Sequence, residues 1–285
     1  MSCPHCQGSG WKLLEEAGRP RVVRCDCFRE TLTERLTTDA RIPRRYTHCD
    51  LDRFLTYGNE SLEQALQQAR SLVDRFPVVS KGLFLLGPPG VGKTHLAVAV
   101  LRLLIEQKGV RGIFYDTREL LRVIRSTYGP DSASRVTESD VLRPVVEADL
   151  LVLDDLGAEK PSEWVDETLN YIVNSRYSER RLTIFTSNYD ITDDLTDPDS
   201  LPVRVGLRMY SRLHEMCEFR HLDGADYREL PVNGGVDDLK ALWKLRRRPG
   251  TAATRGIPSR SARQLRARLP DGGADLKWSG GKVNT

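Results

Sequence analysis

Gly87-Pro88-Pro89-Gly90-Val91-Gly92-Lys93-Thr94 reads GPPGVGKT and fits the spacing G-x-x-x-x-G-K-[ST] in full. Each position has a physical reason. Glycines let the backbone curl until successive N–H groups point inward at anionic oxygens. A helix expected to begin near Lys93 brings its positive dipole end to the same place. Lys93 can bridge two neighbouring phosphates, and Thr94 can set its hydroxyl on Mg2+. The surroundings argue against a chance match. Gly82-Leu83-Phe84-Leu85-Leu86 before the loop is a short apolar run suited to a buried strand. Residues 94–107 after it carry helical apolar spacing that stops at Gly109. Strand, loop and helix in this order predict a site for ATP with Mg2+, contacted by the whole run from Gly87 through His95.

Further strands are predicted at residues 112–115, 150–154, 182–187 and 217–222. Helices are predicted at 31–38, 62–76, 117–128, 138–148, 164–180 and 206–216, with a break at Tyr128-Gly129-Pro130-Asp131. Alternating strands and helices imply an α/β fold, a parallel five-stranded sheet sandwiched by helices. Ligands of such sheets sit at the carboxyl edge of the strands. Leu150-Leu151-Val152-Leu153-Asp154-Asp155 delivers two carboxylates there. Asp154 is the expected Mg2+ partner, and Asp155 the expected base that polarises an attacking water. Leu182-Thr183-Ile184-Phe185-Thr186-Ser187-Asn188 ends a further strand in polar residues, and the Asn188 amide is suited to sensing the water or the terminal phosphate.

At 285 residues the chain has room for one sizeable domain with attachments. No run of eighteen apolar residues occurs, so no membrane span is expected. The N-terminus opens on a cysteine pair rather than a charged-then-apolar leader, which predicts a cytoplasmic protein. Net charge is only +3, but residues 236–285 hold 12 Lys/Arg against 4 Asp/Glu, leaving a slightly acidic body with a basic tail. Apart from a short helix at 236–245, that tail is expected to be disordered. It either attracts nucleic acid or simply keeps the end solvated.

Cys3, Cys6, Cys25 and Cys27 form C-x2-C-x18-C-x-C. In a reducing compartment two close pairs favour a metal over disulfides, and four thiolates suit tetrahedral Zn2+. The second pair is tighter than the usual C-x2-C, which leaves His5 open as a substitute ligand. So small a unit has little core, and a metal would supply most of its stability. Cys49 and Cys217 stand apart and are expected to be packed.

The ordered set GPPGVGKTHLA, LLVLDDLGAE, NSRY, IFTSNYD, SRLHEMC and DGADYR resembles the AAA+ ATPases, specifically the DnaC/DnaI-type helicase loaders and their IstB-type transposition relatives, over residues 42–229. The resemblance implies that Lys93, Thr94 and Asp154 contact ATP and Mg2+, that Asp155 is the hydrolytic base and that Asn188 is the sensor. It makes Arg212 an arginine finger acting on a neighbouring subunit, with Arg208 a lesser candidate, and Arg228 a second phosphate sensor. It implies self-association, a replicative hexameric helicase as partner, and single-stranded DNA met by Arg118, Arg122, Arg125 and Arg143. The implied layout is a zinc-binding docking module at 1–40, a linker and helix at 41–76, the ATPase domain at 77–233 and the tail at 234–285. Two other readings stay open: a transposition helper working with a transposase, and an adaptor that binds ATP without turning it over.

Overall fold

Continuous apolar runs must be covered on both faces, and four of them here align with a more polar edge strand into one parallel sheet. In the computed structural model, which describes residues 3–16, 19–128, 137–192, 194, 196–232 and 234–246, these are β3 (Gly82–Leu86), β4 (Gly112–Asp116), β5 (Leu150–Asp154), β6 (Leu182–Ser187) and β7 (Cys217–His221). Their order across the sheet is β4-β5-β6-β3-β7, so β3 lies between strands distant in sequence. Leu83 pairs with Ile184 on one side and with Glu218 on the other. The close strand approach requires glycine at Gly82, where a Cβ would stand 1.8 Å from the Thr183 carbonyl oxygen.

Helices cover the sheet. α3 (Lys93–Lys108) starts directly after the glycine loop and stops at Gly109, which takes left-handed geometry and donates back to Ile105. α4 (Thr117–Ser126) is capped by the Asp116 carboxylate, which accepts from Glu119 N. α5 (Glu138–Glu147) opens with a reciprocal Thr137–Asp140 capping box. α6 (Glu163–Ser178), α7 (Leu201–Val205) and α8 (Leu207–Met216) complete this part, and α9 (Val236–Arg246) follows β7. The predicted break at Gly129-Pro130-Asp131 and the tail beyond Arg246 lie outside the described residues. Among the described residues no helix is long and apolar enough to cross a membrane.

The N-terminal part departs from expectation. An antiparallel hairpin, β1 (Trp11–Glu16) with β2 (Arg19–Arg24), occupies the stretch between the cysteine pairs. The helix expected at 31–38 is longer, α1 (Asp26–Asp39), and α2 (Glu60–Arg75) matches the second. The intervening stretch was expected to be a linker. It is instead a strap fastened to α3, to β4 and to the segment after β7. Phe114 N donates to the Ala40 carbonyl at 2.8 Å. Arg102 Nη1 donates to the Cys49 carbonyl at 2.7 Å, and Asn59 Nδ2 to the Asp223 carbonyl at 2.7 Å. Apolar spacing cannot reveal such fastening, because most of these bonds use backbone oxygens.

Among the described residues Arg176 is the largest fully buried side chain, 1% exposed. Its guanidinium donates to the carbonyls of Val145 (2.9 Å), Ala148 (2.9 Å) and Leu182 (2.5 Å) and to Thr183 Oγ1 (2.9 Å), joining the open end of α5 to β6. Burial lowers its pKa to about 9. Arg176→Leu strands these buried acceptors and should cost about 2–4 kcal/mol in urea denaturation. A loss below about 0.5 kcal/mol, the scatter of ordinary surface substitutions, would contradict this role.

Candidate functional site

Loops after β3, β4, β5, β6 and β7 converge on one cleft of about 160 Å³. Two glycines let its floor form. Gly90 has φ +83, and a Cβ on it would stand 1.7 Å from Asp226 Oδ1. Gly92 has φ +99, and its Cβ would meet the Phe54 ring at 2.5 Å. The DGADYR segment and the strap therefore press on the loop where only hydrogen fits. Tyr227 N also donates to the Gly90 carbonyl at 3.0 Å.

Lys93 lies in the middle of this cleft, 6% exposed. Its ammonium donates to the Gly87 carbonyl (2.7 Å), the Pro88 carbonyl (2.8 Å) and Asn188 Oδ1 (2.7 Å). All three are neutral oxygens. Burial pulls its pKa down to about 8, against the pull of the nearby Asp155 and Asp154 charges. A desolvated cation with neutral contacts is what an incoming phosphate stabilises most.

Thr94 Oγ1 donates to Asp154 Oδ1 at 2.9 Å. Thr186 Oγ1 donates to the same oxygen at 2.6 Å and accepts from Asp155 N at 2.9 Å, tying β5 to β6. Burial raises the Asp154 pKa, opposed by these hydrogen bonds. Asp155, held in left-handed geometry at φ +59, is likewise raised by burial and opposed by Arg118, which bridges it at 3.3 Å. Asn188 Nδ2 donates to Asp155 Oδ1, so one amide joins the lysine to the second aspartate. The Thr94 hydroxyl and the Asp154 carboxylate are hard oxygen donors of the kind Mg2+ takes. They are the residues that would hold it.

Pro89, Gly90, Lys93, Thr94, Asp154, Asp155, Asn188 and Arg228 all line the cleft. Gly87 and Pro88 contribute carbonyls to the lysine, whereas the Val91 side chain is buried beneath the loop. His95, expected among the nucleotide contacts, is not at the cleft. Its Nε2 lies 2.8 Å from the Asp50 carbonyl oxygen and its ring packs 5.6 Å from Phe54. One residue beyond Thr94 the helix has turned about 100°, which carries the ring to the strap. Arg212 is half-buried near Tyr177, away from this chain's own cleft, and Arg208 is exposed. Tyr46, Asp116 and Thr186 also line the cleft and were not anticipated. A strand-end carboxylate at Asp116 and a hydroxyl two residues before Asn188 were readable signals. Tyr46 had none.

Arg122 is exposed on α4. Arg125 lies over the Trp164 ring at 4.5 Å, and Arg143 pairs with Glu147 at 3.3 Å.

The four N-terminal thiols of Cys3, Cys6, Cys25 and Cys27 gather with all Sγ atoms within 4.8 Å of one another. Cys3 and Cys25 are 3.8 Å apart, Cys6 and Cys27 3.3 Å. Bonds of about 2.3 Å in a tetrahedron put sulfurs about 3.8 Å apart, close to the spacing of this group, which could hold a metal ion after small adjustments. His5 is outside the group. Cys49 and Cys217 are buried, as expected of packed thiols.

A sequence profile described as IstB-like ATP binding protein matches residues 31–201. The chain belongs to the IstB-like ATP-binding family. Among solved structures, one described as the DnaC helicase loader is 36% identical, aligns over 64% of this chain and 100% of its own, and superposes with a TM-score of 0.56. The Bacillus subtilis (strain 168) protein YqaM is 26% identical over 203 residues, 68% of this chain and 60% of its own length. The replicative helicase loader DnaC of Escherichia coli (strain K12) is 29% identical over 135 residues, 47% of this chain and 53% of its own. The matches thus span only 60% and 53% of these two relatives. The parallel sheet with its glycine loop is the AAA+ P-loop arrangement of this family.

For an ATP-binding protein so built, Lys93→Ala removes a charge-assisted contact and should weaken ATP about 10–100-fold in a calorimetric titration. Affinity equal to the parent's would contradict the site.

Proposed function

We propose that this protein is an ATP-dependent loader that delivers a replicative helicase to single-stranded DNA in the cytoplasm. The carrying observation is the likeness, at 36% identity, to the full solved chain of a structure described as the DnaC helicase loader, together with the set Lys93, Thr94, Asp154, Asp155 and Asn188 around one cleft. In this reading the Lys93 ammonium leaves its loop carbonyls for phosphate oxygens. Mg2+ held by Thr94 and Asp154 would supply charge neutralisation on the triphosphate. Asp155, kept proton-hungry by burial, takes the proton of the attacking water, and Asn188 reports between phosphate and base. Arg212 reaches the ATP of a neighbouring subunit, and Arg228 meets the phosphates within its own chain.

The four cysteines hold Zn2+ in a module over residues 1–40 that docks the helicase. Residues 77–233 are the ATPase domain, followed by the basic tail at 234–285. The outer face of α4, with Arg118, Arg122 and Arg125, tracks the DNA backbone. A transposition helper acting with a transposase is the second reading, equally compatible with the IstB-like family profile.

Arg212→Ala should abolish DNA-stimulated phosphate release and leave ATP affinity within about twofold, since a finger adds transition-state stabilisation only. Undiminished turnover would refute the finger. Purified under reducing conditions, the protein should carry about one equivalent of zinc, and Cys6→Ser should lose it. Less than about half an equivalent in the parent would count against the metal. Loading of the host's replicative helicase onto a primed single strand separates the two functional readings: activity only with a transposase and duplex DNA would favour the helper.

A further inference from the structure

The loop that carries Asp155 is held at successive residues. Asp155 itself takes φ +59, a left-handed conformation unfavourable for a residue with a side chain, so it persists only where neighbouring contacts hold it. Asp155 N donates to the Thr186 hydroxyl at 2.9 Å, and Leu156 N to the Thr186 carbonyl at 2.8 Å. Ser187 Oγ donates to the Leu156 carbonyl at 2.7 Å. Further along, the loop is held by a side chain from α7. Arg204 Nη1 donates to the Gly157 carbonyl at 3.0 Å and to the Glu159 carbonyl at 3.2 Å.

The same guanidinium reaches the segment after β6. It lies 4.2 Å over the ring of Tyr189, the residue after Asn188, and its Nη2 pairs with Asp199 at 3.2 Å. Gly157 lets these groups close up. Its φ is +88, and a Cβ there would stand 3.3 Å from the Tyr189 ring and 3.7 Å from Arg204. One side chain thus spans the residues that follow Asp155 and the residue that follows Asn188. Asp155 and Asn188 are already joined by their own hydrogen bond, and Arg204 is a second tie between the two segments. It is made at a cost: Arg204 Nε and Glu159 Oε2 are both buried without a partner. Buried polar atoms left unpaired lower stability, and such exceptions concentrate where function fixes the geometry.

We infer that Arg204 is a positioning residue for hydrolysis, its guanidinium fixing the Asp155 loop against the segment after Asn188 so that base and sensor amide keep their spacing. Arg204 does not line the cleft, so its effect falls on the chemical step and not on nucleotide affinity. The inference rests on the reading above that this chain hydrolyses ATP with Asp155 as the base.

Arg204→Met keeps an apolar stem and removes the donors, whereas Arg204→Lys keeps the charge and a point donor without the fork. Three readouts on the full chain test the role: phosphate release at saturating ATP and Mg2+ with single-stranded DNA, affinity for a non-hydrolysable ATP analogue, and amide hydrogen exchange. The expected kcat is about tenfold below the parent's for Arg204→Met and about threefold below for Arg204→Lys, with affinity within about twofold of the parent's in both. Amides of residues 155–159 should exchange faster in the methionine variant, and those of residues 207–216 at the parent's rate. A kcat equal to the parent's in Arg204→Met would overturn the inference. So would a loss of affinity as large as the loss of kcat, which would make Arg204 an ordinary fold contact. Faster exchange at 207–216 with the loop unchanged would overturn it too, by assigning the effect to the helix of Arg212. If Arg204→Met does not fold, Arg204→Lys decides alone: a threefold fall in kcat at unchanged affinity supports the role, and the parent's kcat overturns it. The two levels separate in the parent. A parent that binds the analogue and releases no phosphate removes the hydrolytic reading and this inference with it; a parent that turns over ATP no faster than Arg204→Met removes only the role of Arg204.

Discussion

A buried ammonium held by two carbonyls and an amide oxygen is the contact on which the rest of this structure depends. Lys93 has given up water without gaining a contacting anion. Its compensation is partial, and its depressed pKa is the sign of that. The carboxylates that influence it lie at one remove, Asp155 behind the Asn188 amide and Asp154 behind Thr94. The arrangement keeps the positive charge available. A carboxylate in direct contact would satisfy the lysine and close the site to phosphate.

The position of this ammonium is set by elements distant in sequence. β3 supplies the strand end, β5 and β6 the acid and the amide, and the β7 side the DGADYR segment against Gly90. From the N-terminal side the strap adds Phe54 against Gly92 and Tyr46 at the rim. The strap and the DGADYR segment also bond to each other: Ala225 N donates to the Tyr57 hydroxyl at 2.8 Å, and the Tyr227 hydroxyl donates to the Leu55 carbonyl. A change at the phosphates therefore has a bonded route to both Arg228 and the strap, which continues from α1 and the cysteine cluster.

Much of this was legible in the sequence because the phosphate loop is a local device. Its glycines, lysine and threonine are fixed by backbone geometry within eight residues, and buried parallel strands announce themselves as apolar runs such as LLVLD. Asp154, Asp155 and Asn188 followed from strand ends alone. What sequence could not reveal was contact across long separations. Arg176 looks like one more helix arginine in NSRY, and only the fold shows it buried among carbonyls. His95 sits inside the motif but one helical step past its useful face. The β1–β2 hairpin escaped notice because Leu13, Leu14, Val22 and Val23 do not alternate cleanly with polar residues, and Leu13 and Val22 pair face to face while exposed. Tyr46 was invisible for the same reason as the strap that carries it.

A crystal structure with Mg2+ and a non-hydrolysable ATP analogue tests the central contact most directly. Lys93 Nζ should leave the Gly87 and Pro88 carbonyls for phosphate oxygens, with the metal ion between Thr94 and Asp154. An analogue bound elsewhere, or bound here with Lys93 still on those two carbonyls, would contradict the account.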